Sequence, residues 1–544
     1  MAESAQTDLA VIGSGAGGLA AALAARLAGL KVTVFEKSTL VGGTSTLSGG
    51  LIWAPCNHVQ KGAFGDSPEA AHEYLRSCFG EPEDEALWRA HVRTIPRVIE
   101  VLEAVSPLRF QLVRYPESFA GRPGSIPFGR HVEVKVVRVA RAGRLAKRLR
   151  KPLRSSLVTL GEFYNLGFKF GPMRAALRHP FLIGSRIVLG QAGMGLGLVT
   201  GLVAACLDHG VEFRLGWRAR ELLREGGRVV GVAGEGETGA ERIAARRGVV
   251  IASGGFDWNK DLQERYLTAP IEAPVVPPAM EGDGQLMAEA AGAALGKMDL
   301  AWWLAVSLDV KKNLDDIQVG TAVYAERGLP HAIIVNRRGR RFTNEAAHNM
   351  AMALFERDGA TGELLNQPAW AVFDRQYRSR YDVLLAIKPT DPDPPWLFKA
   401  DTVEGLARQV GMDPAGLADT LARFNRHAAE GKDPEFGRGS FAFDPHVGDS
   451  RMRYPNLGTV ERAPFYALRI HLGGVGTKGG VRTNVRAQAL RADGAPIPGL
   501  YAAGNAAATW FGAPMASGGI TLSQALVMGW LAGRDAGGAN ENLA

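Results

Sequence analysis

The chain has 544 residues, 46% of them hydrophobic and 22% charged, an ordinary globular composition that excludes a fibrous or disordered protein. That length is more than one core usually supports, so two or more lobes are expected. The net charge of +8 is modest, but between Glu133 and Asp208 the only acid is Glu162, among twelve lysines and arginines from Arg138 to Arg186.

The opening, MAESAQTD, has no basic n-region or apolar h-region, which points to a cytoplasmic protein. Cys56, Cys78 and Cys206 are far apart and lack metal-ligand spacing, so they read as buried thiols with no metal site. Leu9 to Ile12 form a short apolar run. A glycine turn, GSGAGG, follows it, then the small-residue helix LAAALAARLAGL and a second apolar strand in KVTVFEK. Strand, glycine turn, helix and strand make the βαβ unit of a dinucleotide-binding sheet. In that turn Gly13 permits the tight bend, Gly15 lets backbone amides approach a pyrophosphate, and Gly18 lets helix pack on strand. Glu36 ends the second strand, where an acid holds ribose hydroxyls.

Residues 85–106 are expected to be helical, and GRPGSIPFG to be loop. Residues 140–207 form a basic helical stretch ending in IVLGQAGMGLGLVTGLVAACL, about long enough to cross a bilayer. Its glycines and Gln191 favour a buried helix instead. The basic insert at 140–190 suits a phosphate-rich partner. A peripheral membrane contact is the partner expected, with Leu and Phe inserted and Arg and Lys on headgroups, and not nucleic acid. RELLREGGRVVGVAGEG reads as a hairpin-like excursion, and GVVIASGG as a buried strand running into a glycine turn.

FAD rather than NAD is suggested by EKSTLVGGTSTLSGGLIW, whose short donors and bare backbone just after the ribose acid suit a ligand that continues across the sheet edge. This stretch resembles the second loop of the succinate dehydrogenase/fumarate reductase flavoprotein superfamily. Five further segments resemble that superfamily in the same order: VVIASGGFDWN, EGDGQLMAEAAGA, VNRRGRRFTNE, GTKGGVRTN with GLYAAGNAAA, and the closing GAPMASGGITLSQALVMGWLAGR. The resemblance implies an α/β fold: a Rossmann-like FAD-binding domain (1–299 and 455–544) with an inserted α+β substrate or capping domain (300–454). The expected FAD contacts are Gly13, Gly15, Ala16, Gly17, Gly18, Glu36, Lys37, Gly43, Thr44, Ser45, Ser48, Gly49, Gly50, Ala219, Ala252, Ser253, Gly254, Asp283, Gly504, Asn505, Gly519, Thr521 and Leu522.

GTKGGVRT, AAGNAAA and ALRADG resemble the 3-ketosteroid Δ1-dehydrogenase branch most. That branch implies α,β-desaturation of a ring ketone, with Gly519 as the amide donor to the carbonyl. Two of its three tyrosines fall on Met515 and Asn349, and Tyr115 is placed to supply the third. The fumarate reductase branch implies a relay over Glu345, His348 and Arg378, while its clamping histidine and arginine fall on Gly476 and Ala516. His471, in RIHLGGVG, is a further candidate base. Trp302, Trp303, Met298 and Met515 suggest an apolar wall for a flat ring substrate, with Asn349 beside it. No second GxGxxG-and-acid unit is found, so electrons are expected to leave to an external acceptor. An enoate reductase of fumarate-reductase type, or a flavin-binding protein without this chemistry, are the alternative readings.

Overall fold

The computed structural model describes residues 6–153 and 156–539; Arg154 of the basic insert lies outside the described residues. Five strands run parallel at the heart of an eight-stranded sheet, in the spatial order Glu212–Leu215, Val32–Glu36, Gln6–Ile12, Gly239–Ile251 and Pro496–Ala502. Leu9, Val11, Val34 and Val249 are all fully buried, as parallel strands covered on both faces require. Arg218–Glu225 and Arg228–Gly236 form an antiparallel hairpin that extends Gly239–Ile251.

Small residues let two helices meet closely on this sheet. Ala16–Leu27 packs along the closing helix Ile520–Ala536. A Cβ on Gly529 would lie 2.0 Å from the Gly17 carbonyl oxygen, and one on Gly533 2.3 Å from that of Ala21. The helix Met194–Asp208 is buried in the same core, and no helix among the described residues is long and apolar enough to cross a membrane. The long helix Glu85–Val105 starts on an Asp84 cap and contains Pro96. Cys206 is buried, whereas Cys56 and Cys78 are only half-buried, a correction to the expected three buried thiols.

A second, seven-stranded sheet has the path Ile317–Ala322, Ala301–Leu314, Phe465–Thr477, Ala369–Asp374 and Ala332–Asn336. Its central strand, Phe465–Thr477, runs beyond the boundary expected at 454. The chain rejoins the first sheet at Gln488–Leu490. The fold is therefore a Rossmann-like α/β sheet carrying a capping sheet, and the site lies where the two meet.

Candidate active site

A cavity of about 790 Å³ opens at the carboxyl ends of the parallel strands, where open α/β sheets bind ligands. Gly13 turns there at φ +105°, and a Cβ on it would sit 2.3 Å from the Ala252 carbonyl oxygen. Gly15, Ala16 and Gly17 line the cavity at the start of a helix whose Ala16 amide donates to the Ser45 hydroxyl at 3.0 Å, leaving the other first-turn amides and the helix dipole for phosphate. Gly18 does not line it. A Cβ there would lie 2.0 Å from the Gly13 carbonyl oxygen, so Gly18 serves helix–strand packing.

Glu36 is fixed at the end of its strand. Its Oε2 accepts from the Ser14 amide at 3.1 Å and hydroxyl at 2.7 Å, and its Oε1 from the Ser38 amide at 2.9 Å. Gly43, Thr44, Ser45, Ser48 and Gly49 line the next wall, and Ala219, Ala252, Ser253, Gly254, Gly504, Asn505, Thr521 and Leu522 the far side. Lys37 and Asp283 also line the cavity but are engaged with each other at 2.7 Å, with Arg218 at 2.7 Å from the same carboxylate. Burial pushes Asp283 up, yet the two cations hold it below the usual carboxylate range.

Two groups in this wall await partners. The Ser253 hydroxyl and both carboxylate oxygens of Asp257 are buried without a hydrogen bond, and both residues line the cavity. Burial pushes Asp257 up to about 7. Orphaned polar groups of this kind call for a polar ligand. Together with the glycine-rich helix start and the fixed acid, they fit the phosphates and hydroxyls of FAD. Asp257 lies in the FDWN that follows the central strand, where no spacing rule marks it as a site residue.

A second cavity of about 190 Å³ adjoins the first; Ser48, Gly49, Leu160, Tyr164, Leu304, Tyr324, Val475, Thr521 and Leu522 line both. Gly50 and Gly519 line this smaller cavity, not the larger. Gly519 caps the closing helix at φ 83° with no side-chain cap, so its amide and those after it carry the positive end of the helix dipole. Tyr115 packs on that turn: a Cβ on Gly518 would lie 2.6 Å from its Cε1. The Tyr115 hydroxyl makes no hydrogen bond to any described residue.

Trp302, Trp303, Met352 and Met515 form the apolar wall. Met298 is not part of it and packs on Phe256 and Leu262 instead. Lys478 is buried in the same lining, its Nζ donating to the carbonyls of Gly512 at 3.0 Å and Ala513 at 2.6 Å and lying 3.8 Å over the Trp302 ring. Arg327 reaches the cavity from the capping side. Tyr164, Tyr324, Arg327 and Lys478 went unread in the sequence; only Lys478 falls in a quoted motif.

Three candidate catalytic residues need correction. His471 lines neither cavity; its Nδ1 lies 2.8 Å from Glu272 on the outer part of the capping sheet. Arg378 also lies away from both and is held by Asp393 at 2.9 Å and the carbonyls of Lys388 and Asp391. His348 does line the smaller cavity, but burial, with Arg327 nearby, pushes its pKa down to about 3, and its Nδ1 is 2.5 Å from the Ser118 hydroxyl. An imidazole that binds a proton so weakly is a poor general base. Glu345 is clasped by Arg341 at 2.7 Å and Arg438 at 3.4 Å, so the Glu345–His348–Arg378 relay is not assembled.

A sheet of this topology, with a dinucleotide cradle opening onto an apolar-walled cavity under a capping sheet, defines a flavin-dependent oxidoreductase. The chain belongs to the FAD binding domain family, which matches residues 8–522, and its cofactor is FAD. It is 37% identical to 4-oxocyclohexanecarboxylate 2-dehydrogenase of Sinomonas cyclohexanicum, over 98% of this chain and 93% of that protein. It is 35% identical to 3-oxosteroid 1-dehydrogenase of Mycolicibacterium smegmatis, over 97% and 96%. The crystal structure of 3-ketosteroid Δ1-dehydrogenase from Sterolibacterium denitrificans superposes with a TM-score of 0.91 at 31% identity, covering 99% of this chain and all of that one. The protein is thus an FAD-dependent dehydrogenase.

Proposed function

We propose that the protein desaturates a cyclic ketone, removing a proton from the ring carbon α to the carbonyl and a hydride from the β carbon to leave an α,β-unsaturated ketone. The observation that carries this reading is the uncapped Gly519 turn facing an apolar cavity beside the partnerless Tyr115 hydroxyl. The Gly519 amide, at the positive end of its helix, holds the ketone oxygen and stabilises the enolate as the α-proton leaves, an oxyanion-hole role. Tyr115 receives that proton at its phenolic oxygen. Trp302, Trp303 and Met515 flatten the ring and exclude water. Bound FAD supplies the acceptor for the hydride.

The cavity of about 190 Å³ accommodates a single ring. Among the relatives, the Sinomonas dehydrogenase is named for a one-ring substrate. Incubation with 4-substituted cyclohexanones and an artificial electron acceptor tests the reading. A product two mass units lighter than the ketone supports it; unchanged ketone in flavin-loaded protein counts against it. A fumarate-reductase type of chemistry is disfavoured because Arg378 lies outside the cavity and Gly476 and Ala516 offer no clamp.

Electrons then pass to an external acceptor. A membrane contact is supported by the insert, whose helices Pro172–Arg178 and Pro180–Val188 leave Leu177 at 74%, Phe181 at 92% and Val188 at 85% exposure. These apolar side chains sit among Arg174, Arg178 and the basic run before them, the pattern of a segment resting on anionic lipid. Co-sedimentation with phosphatidylserine vesicles, lost in Phe181→Ser with Leu177→Ser, supports the contact; equal sedimentation of the double variant counts against it.

A further inference from the structure

Seven arginines are buried among the described residues, and six of them are paired with a carboxylate. Arg130 meets Asp66 and Glu117, Arg150 meets Asp315, Arg186 meets Glu162, Arg341 and Arg438 share Glu345, and Arg378 meets Asp393. The seventh is Arg327, 5% exposed, with no ion pair among the described residues. Its Nη1 donates to the carbonyls of Ala347 at 2.6 Å and Ala346 at 3.4 Å, while its Nε is buried with no partner. The carboxylate whose field reaches it, Asp444, makes no ion pair with it. One oxygen of Asp444 is taken by the Asn344 side chain at 2.9 Å and the Gly439 amide at 2.8 Å. A buried guanidinium without a counter-charge is costly, and this one lines the small cavity.

The other buried cation of that cavity, Lys478, is already used by carbonyls and the Trp302 face. Arg327 therefore has capacity that the protein itself does not fill. We infer that Arg327 recognises a carboxylate on the substrate, so that the ring ketone taken by this cavity is an oxo acid whose ketone faces Gly519 and whose carboxylate faces Arg327. The ring and its ketone rest on the desaturation reading above; the acid rests on the arginine. Tyr115, Gly519 and Arg327 line the same small cavity; Tyr115 packs against Gly518 at the helix turn and its phenol lies in the field of Arg327. The planar fork of a guanidinium matches a carboxylate through two parallel hydrogen bonds, and a cavity of about 190 Å³ leaves room for a ring and one small anion.

Calorimetric titration of the FAD-loaded enzyme with cyclohexanecarboxylate and with cyclohexanecarboxamide tests this without turnover, since neither carries a ketone. A charge-assisted pair in this setting predicts that the acid binds about tenfold or more tightly than the amide. Arg327→Gln removes that preference and Arg327→Lys retains part of it. Equal affinity of wild-type protein for acid and amide overturns the inference, as does a preference that survives in Arg327→Gln. If Arg327→Gln does not retain flavin, the wild-type ratio and Arg327→Lys decide. Failure of every ring ketone to react overturns the desaturation reading and leaves this binding result standing on its own.

Discussion

The side-chain amide of Asn349 grips both backbone polar groups of Met515: its Nδ2 donates to the Met515 carbonyl at 3.0 Å, and the Met515 amide donates to its Oδ1 at 2.7 Å. These are the two positions at which the family resemblance implies phenols. Here they are a brace that holds the 512–516 loop over the cavity instead of a pair of proton-active groups. Asn349→Ala removes both bonds to the half-buried Met515 backbone, a cost of about 1 kcal/mol. The denaturation midpoint is expected to fall while the flavin spectrum of the native protein stays unchanged. An unaltered midpoint would show that the loop is held by other contacts.

Gly518 tests the coupling between the helix turn and Tyr115. A Cβ at this position would meet Tyr115 Cε1 at 2.6 Å and Cζ at 2.9 Å, so Gly518→Ala must displace the ring from its present place against the turn. Displacement of a reacting group by about 1 Å can cost about 100-fold in rate. Turnover should fall steeply with FAD content intact, because Gly518 does not line the cofactor cavity. Full activity in this variant would separate Tyr115 from the chemistry.

The pH profile distinguishes the two candidate proton acceptors in the cavity. Burial pushes the Tyr115 phenol well above its ordinary pKa, with Arg327 pulling weakly the other way. The ionised, competent form therefore grows with pH, and kcat/KM is expected to keep rising above neutrality with no plateau. Were His348 the acceptor, with its pKa pushed down to about 3, the profile would be flat from mildly acidic to alkaline pH. Tyr115→Phe should lower kcat by about 100-fold or more and abolish the slope.

Asp257 gives a stability test in flavin-free protein. Its carboxyl is raised from 3.8 to about 7 by burial, which outweighs the opposing pull of the backbone at Asp257, Thr477 and Gly476, so the folded state favours the neutral acid. The stabilisation this provides is complete below about pH 3.8 and is lost as the pH rises through about 7. Asp257→Asn is neutral throughout, so its melting temperature should exceed the wild-type value by a margin that widens from pH 5 to pH 7 and then levels off. A constant margin across that range would mean the carboxyl is not perturbed in the fold.

The cofactor cradle was legible because its information is local. The spacing of Gly13, Gly15 and Gly18, with Glu36 at the end of the next strand, sits within one βαβ unit, and the structure gathers most of the named residues around one cavity. Gly18 likewise announced the close packing of the first helix on its strand. The substrate cavity was much less legible. Tyr115, Tyr164, Arg327, Asn349 and Lys478 come from five distant segments, and no spacing rule links them. Arg327 lies in VYAERGLP, a stretch with no motif; what marks it is burial without a carboxylate partner among the described residues, which only the fold reveals. His471 was drawn in by its titratable ring and Arg378 by the fumarate reductase resemblance, yet the Glu272 contact and the Asp393 pair place them elsewhere.

Anaerobic titration of the FAD-loaded protein with 4-oxocyclohexanecarboxylate, following the visible flavin band, tests the central claim most directly. Desaturation by the Gly519 and Tyr115 arrangement predicts stoichiometric bleaching by the ring ketone and none by cyclohexanecarboxylate, which lacks the carbonyl. A flavin that stays oxidised with this and every other ring ketone, while dithionite still reduces it, would contradict the account.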